Sequence, residues 1–380
     1  MKTVSLCIIV KDEASVIIRC INSVLPLINY VYVEDTGSTD NTPEIIRNHL
    51  KSIGMPGHVH ETKWVDFAFN RSEALRRGRM TPGIDYLLMI DADEVLVFQT
   101  KEVVDRIQEL KDRMVHDCYY IQTRYGGATY GRPQITSTKK DFYYRGVLHE
   151  FLDCPGDFSS GNLQNIFNKP IQDGARSKDT NRYAKDAEIL EQAMKTEKDP
   201  KMVSRYSFYC AQSWRDAANP RKALAGYLKA AEICEWSQEK YFSLYQAAKL
   251  KLTLNYPPEQ VLITLGAATQ IVNTRGEAGH EAMRLCRENK WWALGYAIGK
   301  QAIKTSPKDE DLFSEKWVYD YAIKDEMSII AYWYGDYELS EKLSQQLLDE
   351  KKYPPTYEPR IKANLLYARN ILSHGTLKHD

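Results

Sequence analysis

Residues 84–97 read IDYLLMIDADEVLV, and this stretch decides the fold. A near-continuous apolar run that passes straight into acids is a strand buried on both faces, with its carboxyl end opening on a polar cleft. The preceding sequence carries the same rhythm. VSLCIIV (4–10), YVYVEDTG (30–37) and HVHETKWV (58–65) are strand-like, while ASVIIRCINSVLP (14–26), PEIIRNHLKSIG (43–54) and RSEALRRGR (71–79) are helical patterns between and after them. Strands alternating with helices predict an α/β domain with a mostly parallel sheet and helices on both faces. CYYIQTRYGG (118–127), ATYGRPQITS (128–137) and KDFYYRGVLHEFL (140–152) are later β-rich segments bounded by Gly and Pro. They are expected to form a meander that finishes the sheet and brings late residues back over its edge.

The composition changes after Lys178. From Asn181 onward the alternation gives way to amphipathic helices separated by breakers at Pro200, Pro220, Pro257, Pro258, Pro307, Pro354 and Pro355. Ala211, Trp214, Ala223, Tyr227 and Ala230 carry the small-and-aromatic spacing of a tetratricopeptide repeat, in which small residues let two antiparallel helices approach closely. Units near residues 245–265, 282–303 and 329–348 keep the helix-pair rhythm without the signature, which predicts degenerate repeats in a short solenoid. A plain helical bundle is the competing expectation. The chain is therefore read as two domains, residues 1–178 and residues 179–380.

The bulk properties exclude several classes. The 380 residues suit two cores, with 43% hydrophobic content. Lys plus Arg and Asp plus Glu both number 51, so no global field recruits a polyanion or an anionic membrane. The seven cysteines are scattered and contain no C-x-x-C pair, which argues for reduced, buried thiols. No basic segment followed by an apolar run precedes Val4, and no run of about 18 apolar residues occurs. The expectation is a cytoplasmic protein with no signal peptide and no membrane span.

Residues just past each apolar run face the ligand crevice of an open α/β sheet. Here they are Lys11, Asp12 and Glu13; Glu34 through Asp40; and Asp91, Ala92, Asp93 and Glu94. Asp91 and Asp93, one residue apart at a strand tip, would repel each other unless a cation or hydrogen-bonded ligand compensated them, and hard oxygen donors favour magnesium or manganese. A solvated strand-to-loop acid pair is the bland alternative. In the segment 35–42, Asp40 and Thr42 have a sufficient role in starting the helix that follows, with Pro43 in its first turn. Asp35 lies before the turn, where its carboxylate can accept the imide proton of a uracil ring. His149 and Glu150 sit on a late segment expected to fold back beside Asp91 and Asp93.

VSLCIIVKDEA, VEDTGSTDNT, WVDFAFNRSEAL and LLMIDADE, in that order and spacing, resemble the family 2 glycosyltransferases of the GT-A (Rossmann-like) type, over roughly residues 3–153. The resemblance implies nucleotide contact by Glu13, base reading by Asp35, ribose contact by Asp91 and metal ligation by Asp93, with His149 a further ligand of manganese. FAFNRSEAL and RGVLHEFL ahead of helical repeats are similar to bacterial family 2 enzymes with a tetratricopeptide-like tail, including peptide S-glycosyltransferases. Relatives of that kind carry Arg before Asn in the loop; here Asn70 precedes Arg71, which leaves open which of the two meets the donor. Asp66, Asn70 and Arg71 are placed near the pyrophosphate, with Lys11 or Arg71 helping to offset leaving-group charge.

The activity implied is transfer of a sugar from a nucleotide diphosphate donor, a UDP-sugar favoured, using Mn2+ or Mg2+. The resemblance supplies the expectation of inversion. Glu150 is the first candidate for general base, with Asp141 and Asp157 competing. A repeat solenoid grips peptides, so a peptide or protein acceptor is expected first and a glycan next. A modified nucleic-acid base ranks lower, as the zero net charge disfavours it. A homodimer through the helical domain is a further expectation. An inactive repeat scaffold is the rival from another class, and nucleotidyl transfer ranks low because VKDEAS is not a basic, Gly-rich phosphate loop.

Overall fold

The computed structural model describes residues 1–125, 128–308 and 311–374. These fall into two compact units, Met1–Ala193 and Met194–Asp380. The first contains β1 (Val4–Val10), α1 (Ile17–Val24), β2 (Tyr30–Asp35), α2 (Thr42–Ser52), β3 (Gly57–Glu61), α3 (Phe67–Arg79), β4 (Tyr86–Met89), β5 (Glu94–Phe98), α4 (Lys101–Asp105), α5 (Ile107–Asp112), β6 (Cys118–Tyr125), β7 (Ala128–Ser137), β8 (Tyr143–Arg145), β9 (Phe151–Asp153) and β10 (Ser160–Pro170). A further helix, α6 (Arg182–Thr196), crosses the division.

The main sheet has eight strands in the order β3-β2-β1-β4-β7-β6-β10-β5. β3, β2, β1 and β4 are parallel, β7 is antiparallel to both β4 and β6, β10 is parallel to β6, and β5 is antiparallel to β10. The period-2 alternation of β1 explains the layering. Val4, Leu6, Ile8 and Val10 share a core with Ile17, Cys20, Ile21 and Val24 of α1 and Ile46 and Leu50 of α2. Cys7 instead packs with Ala74 and Leu75 of α3. In β4 every residue is buried, Tyr86 and Leu88 toward the first layer and Leu87 and Met89 toward the second. That is what its unbroken apolar run requires.

Two expectations are corrected, and one strand is added. The stretch 84–97 is two strands: Glu94 donates its N–H to the Asp91 carbonyl at 3.0 Å, closing a turn, and β5 then runs to the far edge beside β10. The hydrophobic residues on both sides hid this break. β8 and β9 do not extend the meander; they form a two-stranded sheet of their own. β10 has no counterpart among the sequence-based expectations, because its solvent-facing polar positions, five of them exposed, dilute the apolar signal. Of the segment 118–127, Gly126 and Gly127 lie outside the described residues.

The second unit is all helical: α7 (Pro200–Asp216), α8 (Pro220–Ile233), α9 (Ser237–Thr253), α10 (Pro258–Ile271), α11 (Glu277–Glu288), α12 (Trp292–Ala302), α13 (Ile323–Tyr334), α14 (Tyr337–Glu350) and α15 (Glu358–His374). Each packs against the next, the arrangement of a helical-repeat array rather than a plain bundle. Ala211, Trp214, Ala223, Tyr227 and Ala230 are all buried. A side chain added at Gly226 would sit 2.9 Å from Ala211 Cβ, so α7 and α8 touch backbone to backbone. Farther along, Arg275 and Glu277 form a fully buried ion pair at 2.9 Å, and Tyr241 and Tyr319 both donate to Glu277. Trp291 and Trp292 are only half-buried and line an open hollow of about 860 Å³ with Trp333 and Tyr334. All seven cysteines are buried, and none is joined in a disulfide. Among the described residues no helix is long and apolar enough to cross a membrane.

Candidate active site

The site is built at the carboxyl end of β4. Asp91 follows the strand on the side facing α3, whose buried Arg71 reaches it. Arg71 bonds Asp91 Oδ1 through Nη2, and its Nε lies 2.7 Å from Glu150 Oε1 at an angle that makes this an ion pair rather than a hydrogen bond. Glu150 stands at the end of the β8–β9 loop, so one guanidinium joins residues far apart in the chain. The ring of Tyr144 lies 5.7 Å from Arg71 Cζ, a cation–π contact. Arg132 of β7 completes the cluster, 2.5 Å from Glu94 and 3.7 Å from the other Asp91 oxygen.

Charge sets the behaviour of these groups. Burial pushes the Asp91 carboxyl up, but Arg71 and Arg132 outweigh it and hold it below the usual carboxylate range. Glu94, buried beside Asp91, is held above its ordinary value because Arg132 only partly offsets burial and the neighbouring charge. Arg71 stays charged: burial works against it, and Asp91 and Glu150 prevail.

A second group of acids adjoins the first. Burial, chiefly, and Asp91 raise the Asp93 carboxyl. Glu13 is pushed up to about 7 by burial and by the charges of Asp93 and Asp173, against the pull of an Ala175 N–H. The chain after β10 folds across this pair. Ile171 donates to the Asp93 carbonyl at 3.0 Å, Ala175 donates to Glu13, and Asp173 is anchored by a two-pronged bond from Arg19 at 2.7 and 2.5 Å. A side chain at Gly174 would crowd the site, since a Cβ would lie 3.0 Å from both Glu13 oxygens.

The other expected residues have the following places. Asp35 is buried at the end of β2, where it accepts from Ser38 Oγ and the Gly37 and Ser38 amides, a turn of the Asx kind. Asp40 accepts from the Thr42 N–H and hydroxyl at the start of α2. Asp66 is the N-cap of α3, accepting from Phe69 N at 2.7 Å. Asn70 is wholly buried, with its amide spent on Lys63 O and Val65 N, and so shapes the loop before α3. Arg71 is thus the member of the pair that points into the acid cluster. Lys11 is exposed beside the β1 end. His149 is exposed, with a left-handed backbone at φ 51°, in the β8–β9 loop. Asp141 pairs with Arg79 at the other end of α3, and Asp157 lies on the surface; neither adjoins Arg71.

Sequence reasoning placed Glu94 at the crevice without giving it a role, and missed Arg132, Tyr144 and the crossing segment 171–175. Glu94 had a signal, being the next residue after the acid pair. Arg132 and Tyr144 had none, because their role depends on which strands become neighbours.

Among the described residues no three of His, Cys, Asp and Glu gather into a ready-made cage for a metal ion. The donor set nevertheless fits magnesium or manganese. These ions are held by one or two carboxylates together with substrate phosphates. Asp93 is such a carboxylate, with Glu13 beside it, and burial and like charge push both up.

The mixed sheet flanked by helices, with an acid turn at the tip of its central strand, agrees with the α/β domain expected from the sequence. Residues 5–164 match the family model described as glycosyl transferase family 2. A TPR repeat-containing protein of Synechococcus elongatus is 28% identical over 155 residues, covering 40% of this chain and 36% of that protein, so the match spans about a third of that relative's length. An uncharacterized glycosyltransferase of Rickettsia felis is 24% identical over 251 residues, covering 64% of this chain and 80% of its own. Among solved structures, S. aureus TarS 1-349 is similar at 13% identity with a TM-score of 0.34, over 77% of this chain and 92% of that one. A tetratricopeptide repeat protein from Parabacteroides merdae is similar at 15% identity with a TM-score of 0.37, over 51% and 69%. Scores this low leave the fold to be read from the strand and helix order itself.

Proposed function

We propose that residues 1–178 form the catalytic domain of a glycosyltransferase that moves a sugar from a nucleotide diphosphate sugar, UDP-linked by preference, to a peptide, protein or glycan acceptor, and that residues 179–380 hold the acceptor. The observation that carries the reading is the Arg71 guanidinium shared between Asp91 and Glu150, which gathers an acid turn and a late carboxylate about one centre.

In this reading Asp35 and Glu13 receive the nucleotide, Asp91 meets the ribose, and Asp93 with His149 holds a divalent cation. A bound cation would offset the charge that grows on the departing diphosphate. Arg71 supplies a buried positive charge beside the same group, and Lys11 an exposed one. Asp66 and Asn70 set the loop that presents Arg71. Glu150 accepts the proton of the attacking hydroxyl or thiol, which enters from the face opposite the leaving group and inverts the anomeric centre.

Hydrolysis of UDP-sugars by the full chain, measured with manganese and with chelator, tests this reading. Cation-dependent release of UDP is expected. A chain that binds no nucleotide sugar under either condition would be a scaffold and not a transferase.

A further inference from the structure

The 91–94 turn is closed from both directions. Glu94 gives its N–H to the Asp91 carbonyl at 3.0 Å, and the Asp91 N–H returns to Glu94 Oε2 at 3.2 Å. The remaining Glu94 oxygen is taken by Arg132 Nη1, whose companion Nη2 faces Asp91 Oδ2. Asp91 is thereby held on one oxygen by Arg71 and flanked on the other by Arg132. The Glu94 side chain is only 4% exposed, so it reaches no ligand itself.

The strand that delivers Arg132 is irregular at the point that matters. Opposite β6, Tyr119 pairs with Ile135 and Tyr120 with Pro133, which leaves Gln134 as an extra residue. Such bulges re-aim nearby side chains. Gln134 uses the bulge to donate to the Met89 carbonyl at 3.3 Å, just before the turn. Two residues earlier, Arg132 meets the turn from the same strand.

We propose that Glu94 and Arg132 are positioning residues, which lock the 91–94 turn and orient the Asp91 carboxylate toward the ribose of the donor. The inference rests on the preceding reading of the site. Glu94 acts through the backbone of Asp91, and Arg132 through Glu94 and the Asp91 carboxylate. Loss of either lets Asp91 turn away, which weakens nucleotide binding while leaving Asp93 and Glu150 in place.

The experiment is titration of the full chain with uridine diphosphate and manganese, with the melting temperature measured alongside. Arg132→Met is expected to weaken binding about tenfold, the worth of one charge-assisted hydrogen bond, and Arg132→Lys to recover most of it. In an Asp91→Asn background, Arg132→Met should add little further loss. Should Arg132→Met fail to fold, the Glu94→Gln/Arg132→Met pair removes both buried charges and serves as the same test. Unchanged affinity in Arg132→Met, or an equal loss in the Asp91→Asn background, overturns the positioning role while the wild type still binds. A wild-type chain that binds no uridine diphosphate overturns the site reading itself, and the inference with it.

Discussion

Ala175 donates its backbone N–H to both carboxylate oxygens of Glu13, at 3.2 and 3.3 Å, across 162 positions of sequence. The contact closes the acid pocket from above and places a raised carboxyl under a backbone cover.

The first prediction concerns pH. Folding lifts the Glu13 carboxyl from 4.5 to about 7, so between those values the folded chain binds more protons than the unfolded chain. Stability must then fall as the pH rises through that window. With chelator present, the melting temperature is expected to decline from pH 4.5 to 7, and Glu13→Gln to flatten the decline. A slope that survives the substitution would show that another group sets it.

Asp93→Asn removes a carboxylate whose neighbours already repel it. The chain without cation should melt no lower than wild type, while cation-dependent donor hydrolysis drops on the order of a hundredfold, as when one preorganised electrostatic contact is lost. Retained hydrolysis at wild-type rates, followed by UDP release, would move the cation elsewhere.

Arg71→Ala leaves Asp91 and Glu150 together without their shared cation. Removing one side of a buried pair costs about 3–5 kcal/mol, which urea unfolding would show as a lower midpoint at constant slope. Adding Asp91→Asn and Glu150→Gln to the same chain should restore much of the loss. No recovery would mean that packing against Tyr144, not charge, is what Arg71 provides.

Two helical glycines should respond with opposite sign. Gly226→Ala forces a methyl to 2.9 Å from Ala211 Cβ and 3.1 Å from its Cα, and overpacking of that kind costs about 1–3 kcal/mol. Nothing lies within 4 Å of a Cβ at Gly266 in α10, so Gly266→Ala should gain up to about 1 kcal/mol from helix propensity. Thermal melts of the two variants settle both signs.

The layers of the sheet were legible because β1, β2 and β4 alternate or run apolar in the way buried strands must. The helical array was legible from the Ala211–Ala230 spacing and the proline breaks. Where the reading went astray, long-range pairing was the cause. Glu94 to Phe98 continues the apolar pattern of β4 yet belongs to a different edge, and nothing local announces a partner such as β10, found some seventy residues later. The site followed the same rule: Asp91 and Asp93 were visible at a strand tip, whereas Arg132 acquires meaning only once β7 lies against β4.

β5 has β10 as its one neighbour in the sheet, and β10 runs from Ser160 to Pro170. The family match stops at residue 164, partway along that strand. The region matched by the family model thus ends before the strand does. A fragment trimmed to the matched region would strand an outer edge, uncover the acid pocket and sever Arg19 from Asp173, so an excised catalytic half must reach beyond Ala175 to stay whole.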